Sequence, residues 1–356
     1  MKQPVRILLW ALCAALILAA PFVVSSPNLL SEVKWDLMDE EDEDLDELED
    51  EAFRWPGLFL STARAEEELI VEETEDSGLT STYQLPLDFS PAPAPNPACY
   101  SETGYEDASI RVRVESREEG GVIWHVAFVQ IASPTQLRTA TAAPGKLTST
   151  KTATVSGMAR YNNAVLAFSG DNFVDDPAKT TYEFRMTQKI RAKGNRAKDV
   201  LLIDDQGDFH FFLANGSASR EEHLAALQAE AEKYTVVNAY TFGPALVIDG
   251  QVRTVSEDYG YNPKGREPRA AIGQTGPLSY VCVIAEGRGE SSGVSHQELA
   301  NFMGSLGCQQ AFNLDGGNSA EMVFGETIYK GMPGGKERSL SDMIYFATAI
   351  PEEDWN

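Results

Sequence analysis

The chain has 356 residues, 43% of them apolar and 9% aromatic, enough to bury a large core in one or two domains. Against 29 Lys and Arg stand 54 Asp and Glu, a formal net charge of −25. Such a chain is ill suited to nucleic acid, whose binding rests on cations set against phosphates, and no nucleic-acid partner is expected. The acidity is concentrated, however. Ser31 to Ser77 hold 20 acidic and 3 basic residues, which leaves about −8 for everything else, an ordinary value for a soluble domain.

Lys2 and Arg6 precede an apolar run from Ile7 to Val24, interrupted at Pro21. The run approaches the ~20 residues of a membrane-spanning helix. Basic residues on its first flank alone put the amino terminus in the cytoplasm. Residues 1–27 are therefore expected to form an uncleaved signal-anchor, with the membrane as partner and the rest of the chain extracytoplasmic. A cleaved signal peptide near Ala19-Ala20, giving a secreted protein, and a buried core helix are the competing readings. Residues 28–97 read as a disordered stalk. The acidic block Asp39 to Glu51 repels itself, and Pro86 to Pro97 contains Pro-Ala-Pro-Ala-Pro-Asn-Pro, a semi-rigid spacer. Folding is expected from near Ala98 to about Ile350.

Ile110-Arg-Val-Arg-Val-Glu alternates apolar with charged residues and predicts a half-buried strand. Gly120-Gly121 turns it into Val122–Ile131, a hairpin partner. Val200–Asp204 and Asp208–Phe212 flank Asp205-Gln-Gly as a second hairpin, its acidic residues serving the turn rather than a metal. Ser219-Arg-Glu-Glu222 is a capping box that opens a helix to about Tyr234, and Ser295-His-Gln-Glu298 opens another over Leu299–Leu306, ended by Gly307. His296 is expected to be exposed. Strands follow at Ala311–Leu314, Glu321–Phe324 and Met343–Ala347. Two helices among many short strands predict an α+β domain on a mainly antiparallel sheet. Cys282 and Cys308 are either a disulfide permitted by export or two buried thiols. Nothing in the four histidines has the spacing of a histidine metalloprotease or a serine hydrolase.

From Glu267 to Phe324, Gly, Arg and acidic residues are packed too densely for a plain core. Pro268-Arg269 precedes the small strand Ala270-Ala-Ile-Gly; Val281-Cys-Val-Ile-Ala ends in Glu286-Gly287-Arg288; Ala311-Phe-Asn-Leu runs into Asp315-Gly316-Gly317-Asn318-Ser319. Each motif alone is a turn or a surface ion pair. Together, at the ends of apolar strands, they describe a rigidly mounted site. The glycines leave N–H groups free as an anion nest. Arg269 and Arg288 offer planar forks for phosphate. The carboxylates Asp315 and Glu286 beside a phosphate call for neutralisation by arginine or a divalent cation, or for a place on the sugar side as acid, base or nucleophile.

Phe312-Asn-Leu-Asp-Gly-Gly-Asn-Ser319 resembles the NLDGGxS signature of the phosphodiester glycosidase family, which includes the mammalian enzyme that uncovers mannose 6-phosphate by removing a capping N-acetylglucosamine. Further blocks are similar in the same order: Phe242-Gly-Pro-Ala-Leu-Val-Ile-Asp-Gly, Glu267-Pro-Arg-Ala-Ala-Ile-Gly273, Glu286-Gly-Arg288 where the family has Asp-Gly-Arg, Ser291-Ser-Gly-Val-Ser295 with Glu298-Leu-Ala300, Ser169-Gly-Asp-Asn-Phe173, and a late Arg338. The resemblance covers about residues 160–350, with 98–159 similar to an accessory β-rich region of bacterial members.

It implies hydrolysis at the anomeric carbon of a sugar-1-phosphodiester, such as an N-acetylglucosamine-1-phospho linkage in cell-envelope or extracellular glycan. Asp315 is the acidic group expected at the anomeric carbon, with Glu286 second. Arg269, Arg288, Asn313, Gly316, Gly317, Ser319, Asp171 and Arg338 are expected at the substrate and its phosphate. Ser169 and Glu286 depart from the family's Asn and Asp. A P–O-cleaving phosphodiesterase and a non-catalytic binder of phosphorylated envelope polymer are the alternatives. No cofactor is assigned; a divalent cation remains an option.

Overall fold

The alternation in Ile110-Arg-Val-Arg-Val sets one face of a strand toward a core. In a computed structural model of the chain, Ile110–Glu119 and Val122–Ile131 pair residue for residue, from Ile110 against Ile131 to Glu119 against Val122. Gly120 and Gly121, at φ +61° and +75°, form the two-residue turn between them, a left-handed backbone that suits glycine. The structure describes residues 79, 83–147, 149–171, 183–191 and 198–355, all within the second of the chain's two units, Met1–Glu72 and Glu73–Asn356. The expected anchor at 1–27 and the acidic part of the stalk lie outside the described residues. None of the described helices is long and apolar enough to cross a membrane.

Among the described residues, three main sheets, one two-stranded pair (Ala153–Thr154 with Ser339–Leu340) and three α-helices surround a central core. The large sheet runs Gly104–Glu106, Ile110–Glu119, Val122–Ile131, Ser279–Ala285, Arg269–Gly276, Gln310–Leu314, Ala245–Ile248, Gln251–Val252. A second sheet runs Thr327–Lys330, Glu321–Phe324, Leu166–Ser169, Asp342–Phe346, Leu137–Thr141, and a third runs Phe209–Phe212, Val200–Asp204, Val236–Tyr240, Glu183–Arg185, Gln188–Arg191. Every pairing among these strands is antiparallel, as the sequence predicts.

Side chains alternate across each strand, so each sheet has an inner and an outer face. Ile272, Ile284 and Phe312 of the large sheet, Phe168, Met322 and Phe346 of the second, and Leu201, Ile203 and Tyr240 of the third meet in the central core. Each outer face is covered by one helix. Val155–Tyr161 (α1) places Val155, Met158 and Ala159 on the second sheet. Arg220–Ala231 (α2) places Leu227 and Ala231 on the third. His296–Ser305 (α3) lays Leu299, Phe302 and Met303 on the large sheet, where Phe302 stacks on Trp124 at 3.6 Å between ring centroids. Both predicted capping boxes close, Ser219 with Glu222 and Ser295 with Glu298. The sequence reading missed α1, a short helix with glycine inside it, capped by the Thr154 hydroxyl on the Gly157 N–H.

Several expectations change. The Pro-rich segment is not a spacer: Leu85 and Ala92 are buried, and the buried Arg138 guanidinium donates to the carbonyls of Pro86, Asp88 and Ser90. A chain that cannot pair as a strand is thus held by a side chain that supplies the missing donors. Packed structure is thus present ahead of Ala98, the expected start. Residues 98–159 share the central core, since their hairpin pairs with Ser279–Ala285 and their Leu137–Thr141 strand with Asp342–Phe346. Cys282 and Cys308 are free, buried thiols.

Candidate active site

The motifs converge because the chain changes sheets at one end of the core. It leaves the large sheet at Leu314 and enters the second at Glu321; it leaves the third at Tyr240 and enters the large sheet at Ala245. Cross-links tie these passages together. The Ser169 hydroxyl bridges the backbone of Glu321, donating to its carbonyl and accepting its N–H. The Thr241 N–H donates to Asp171 at 3.0 Å, and Asn313 exchanges backbone hydrogen bonds with Gly243 and Pro244.

Arg269 opens its strand opposite Ala285, with Ala270 opposite Leu314. Glu286 and Asp315 therefore end the two strands that flank it, about 10 Å apart at two strand spacings. Arg269 is buried, and its five N–H groups are all engaged. Nε donates to Val294 O, Nη1 to Tyr261 O and His296 Nε2, and Nη2 to Asn262 O and Gly265 O. Burial lowers its pKa to about 10, so the cation persists at neutral pH. Here Arg269 clamps the 261–265 loop and has no N–H left over for phosphate. His296, expected at the surface, is fully buried beneath it. Arginine can only donate, so His296 Nε2 accepts and Nδ1 carries the proton. Burial and the nearby charges of Arg269 and Lys198 push that imidazole down to about 3, which keeps it neutral.

The clamped loop presents Tyr261. Its ring stacks on Phe242 at 4.1 Å. Though 41% exposed, the phenol is raised to about 12, by burial first and then by the carboxylates of Asp315 and Asp171. The hydroxyl remains a donor at neutral pH. Asp315 and Asp171, read from motifs far apart in sequence, thus both act by charge on one tyrosine. Asp171 is fixed by a buried network: Arg185 Nη2 donates to its Oδ2 at 3.2 Å, Arg185 Nε to Asp342 Oδ2 at 2.8 Å, and the Asp171 N–H to Asp342 Oδ1 at 3.1 Å. The Asn172-Phe173 part of that block lies outside the described residues.

Glu286 belongs to a different arrangement. It is buried, and its Oε1 meets His125 Nε2 at 2.7 Å, while His125 Nδ1 meets the Ser116 hydroxyl at 2.7 Å. Both partners come from the amino-terminal hairpin, so the region read as accessory supplies the setting of the second predicted acid.

The glycine loop is tighter than a nest. Gly317, at φ +56°, donates its N–H to Pro268 O, and the Ser319 N–H goes to Gly316 O. A Cβ on Gly316 would stand 2.6 Å from Pro268 O, so glycine here permits the close approach of Asp315 to the Pro268-Arg269 strand. Asn313 donates through Nδ2 to Gly243 O at 2.7 Å, and its buried Oδ1 has no partner among the described residues; nor has the buried Ser319 hydroxyl. Arg288 is exposed and pairs through Nε with Glu267 at 2.7 Å. Arg338 lies half-buried just before the Ser339–Leu340 strand.

The sequence reading overlooked Tyr261, Arg185, Asp342 and His125. Tyr261 sits in a loop without periodicity, and Arg185 and Asp342 carry no motif. His125 is the exception: a histidine inside an otherwise apolar strand is a readable signal of a buried partner. Among the described residues no group of three or more His, Cys, Asp or Glu could hold a metal ion.

Comparison with known proteins adds to this geometry. A zebrafish structure, the catalytic domain of N-acetylglucosamine-1-phosphodiester alpha-N-acetylglucosaminidase auto-inhibited by its pro-peptide, superposes with a TM-score of 0.52 at 14% identity, over 72% of this chain and 87% of that one. A hypothetical protein from Synechocystis gives 0.51 at 16% identity, over 67% and 62%. At such identities the likeness is one of fold. The SPbeta prophage-derived uncharacterized protein YomE of Bacillus subtilis is 24% identical over 205 residues, 56% of this chain and only 30% of that protein's length. Residues 162–347, just over half of the sequence, match the family described as phosphodiester glycosidase, and the chain belongs to that family.

Proposed function

We propose that the protein hydrolyses the anomeric C–O bond of a sugar-1-phosphodiester, with N-acetylglucosamine-1-phospho linkages of envelope or extracellular glycans as the substrate class. The observation that carries the reading is the family match over residues 162–347; within it, the carboxylates of Asp315 and Asp171, from two separate motifs, both act by charge on the Tyr261 hydroxyl. Phosphate is a good leaving group, so little acid assistance is needed at the departing oxygen. Asp315, as base, takes a proton from water; the water oxygen bonds to the anomeric carbon; the C–O bond to phosphate breaks, and its electron pair leaves with the phosphomonoester. Asp171, held by Arg185, opposes the positive charge that develops on the sugar. The Tyr261 hydroxyl donates a hydrogen bond to the substrate. Glu286 is the second candidate acid, and membrane attachment or export through residues 1–27 remains part of the proposal.

The test is turnover of a glycosyl-1-phosphodiester in ¹⁸O-labelled water, with and without chelator. Label on the free sugar and none on the phosphomonoester is the expected result. Label on phosphorus would replace this reading with a P–O-cleaving phosphodiesterase. Binding without turnover would replace it with a binder of phosphorylated polymer.

A further inference from the structure

Arg138, Arg185, Lys198 and Arg269 are the buried cations among the described residues. Arg138, Arg185 and Arg269 donate to carbonyls, carboxylates or a histidine, as set out above. Lys198 differs. Only 7% exposed, its ammonium makes no hydrogen bond or ion pair to any described residue and lies instead among aromatic rings, 3.3 Å from the Tyr261 centroid, 4.9 Å from Tyr259 and 5.8 Å from Phe242. The carboxylate beside it in sequence is turned elsewhere: Asp199 accepts from the N–H groups of Ala214 and Ala245 and from Arg253. Ring faces stabilise the positive charge but leave its three N–H donors without an oxygen acceptor. A buried ammonium in that state is costly unless an anion completes it. The cage is built for this position. Tyr259 is fixed by accepting the Asp199 N–H and donating to Phe242 O, Tyr261 is fixed by the Arg269 clamp, and Gly260 leaves room where a Cβ would stand 2.9 Å from Nζ.

We propose that Lys198 binds the phosphoryl group of the substrate, taking the place that the sequence reading gave to Arg269. The inference rests on the proposed function for the substrate's identity, and on geometry for the anion. The Tyr261 ring face lies against the Lys198 ammonium, and the same tyrosine feels the charges of Asp315 and Asp171, so the anion-binding group and the proposed acids share one neighbour.

The experiment measures inorganic phosphate binding to the full chain by calorimetry, and in parallel hydrolysis of a glycosyl-1-phosphodiester, for wild type, Lys198→Met and Lys198→Gln. Loss of one charge-assisted hydrogen-bonding group should weaken phosphate by about 10- to 100-fold and raise KM by a similar factor, with affinity for the free sugar unchanged. Unchanged phosphate affinity in both variants, with wild type active, overturns the role of Lys198 and leaves the glycosidase reading in place. Phosphate binding that depends on Lys198 without any hydrolysis supports the anion site and overturns the glycosidase reading. Absence of phosphate binding in wild type overturns the anion site. Should the variants fail to fold, the lysine Cε resonances of wild type decide: burial lowers Lys198 to about 8, phosphate must move its titration midpoint upward, and no movement refutes the proposal.

Discussion

Replacing Arg269 by lysine separates the clamp seen in the structure from the phosphate fork expected of the sequence. Lysine keeps the charge, so the cost of burying a cation is not relieved. It offers three donors from one point in place of five spread over a plane. Arg269 reaches four carbonyls, those of Val294, Tyr261, Asn262 and Gly265, and one imidazole nitrogen. At least two of these acceptors lose their donor. At about 1.5 kcal/mol for each hydrogen bond to a charged group, the variant loses about 3 kcal/mol. For a domain of this size that corresponds to roughly 6–12 °C in melting temperature. Urea unfolding and thermal melting read the loss directly. Turnover should fall as well, because Tyr261 loses the bond that holds its carbonyl. A phosphate-binding arginine would behave otherwise: stability would hold and only KM would rise. That pattern would refute the clamp.

Two further outcomes follow from the buried acids. His125→Phe should cost about 1–3 kcal/mol, because it leaves the Glu286 carboxylate buried without its partner, and the His125→Phe/Glu286→Gln double variant should cost clearly less than the sum of the two single changes; strict additivity would deny the coupling. Glu321 is buried and hydrogen-bonded to Glu337, and burial together with that second carboxyl raises it to about 9. A carboxyl whose folded value lies above its unfolded value holds its proton better when folded, so stability should decline as pH rises from about 4.5 to 9. Glu337, lowered against burial by its hydrogen bonds from Glu321 first and then Ser156, acts below that window. Glu321→Gln should flatten the decline in a series of urea melts between pH 5 and pH 9; an unchanged slope would remove Glu321 as its cause.

What the sequence made legible was local. Gly120-Gly121 could only turn a hairpin of the right hand, and the capping boxes at Ser219 and Ser295 each answer their own helix end, so these features needed no tertiary knowledge. The positions of Asp315 and Glu286 at strand ends were legible for the same reason, since a polar residue that closes an apolar run marks where the strand stops; that Glu286 is buried there was not. Partnership was not legible. Arg269 carries the same fork whether it grips phosphate or five acceptors of its own chain, and only the path of the 261–265 loop decides. His296 stands in the first turn of a capped helix, where exposure is the default, yet α3 lies with that turn pressed onto Arg269. The proline-rich segment has the composition of a spacer, and only a buried arginine 50 residues away in the sequence, Arg138, makes it part of the domain. Lys198 precedes a strand without any motif, and its cage is assembled from Phe242, Tyr259 and Tyr261.

The claim on which everything turns is that Asp315 works at the anomeric carbon. The most direct measurement is turnover of a glycosyl-1-phosphodiester by Asp315→Asn, with melting temperature and phosphate affinity recorded on the same preparation. Turnover should fall about 10²- to 10⁴-fold, the range for losing a positioned acid–base group, with the fold and phosphate affinity retained. Turnover within a few-fold of wild type in a folded variant would contradict it and move the chemistry to Glu286 and His125.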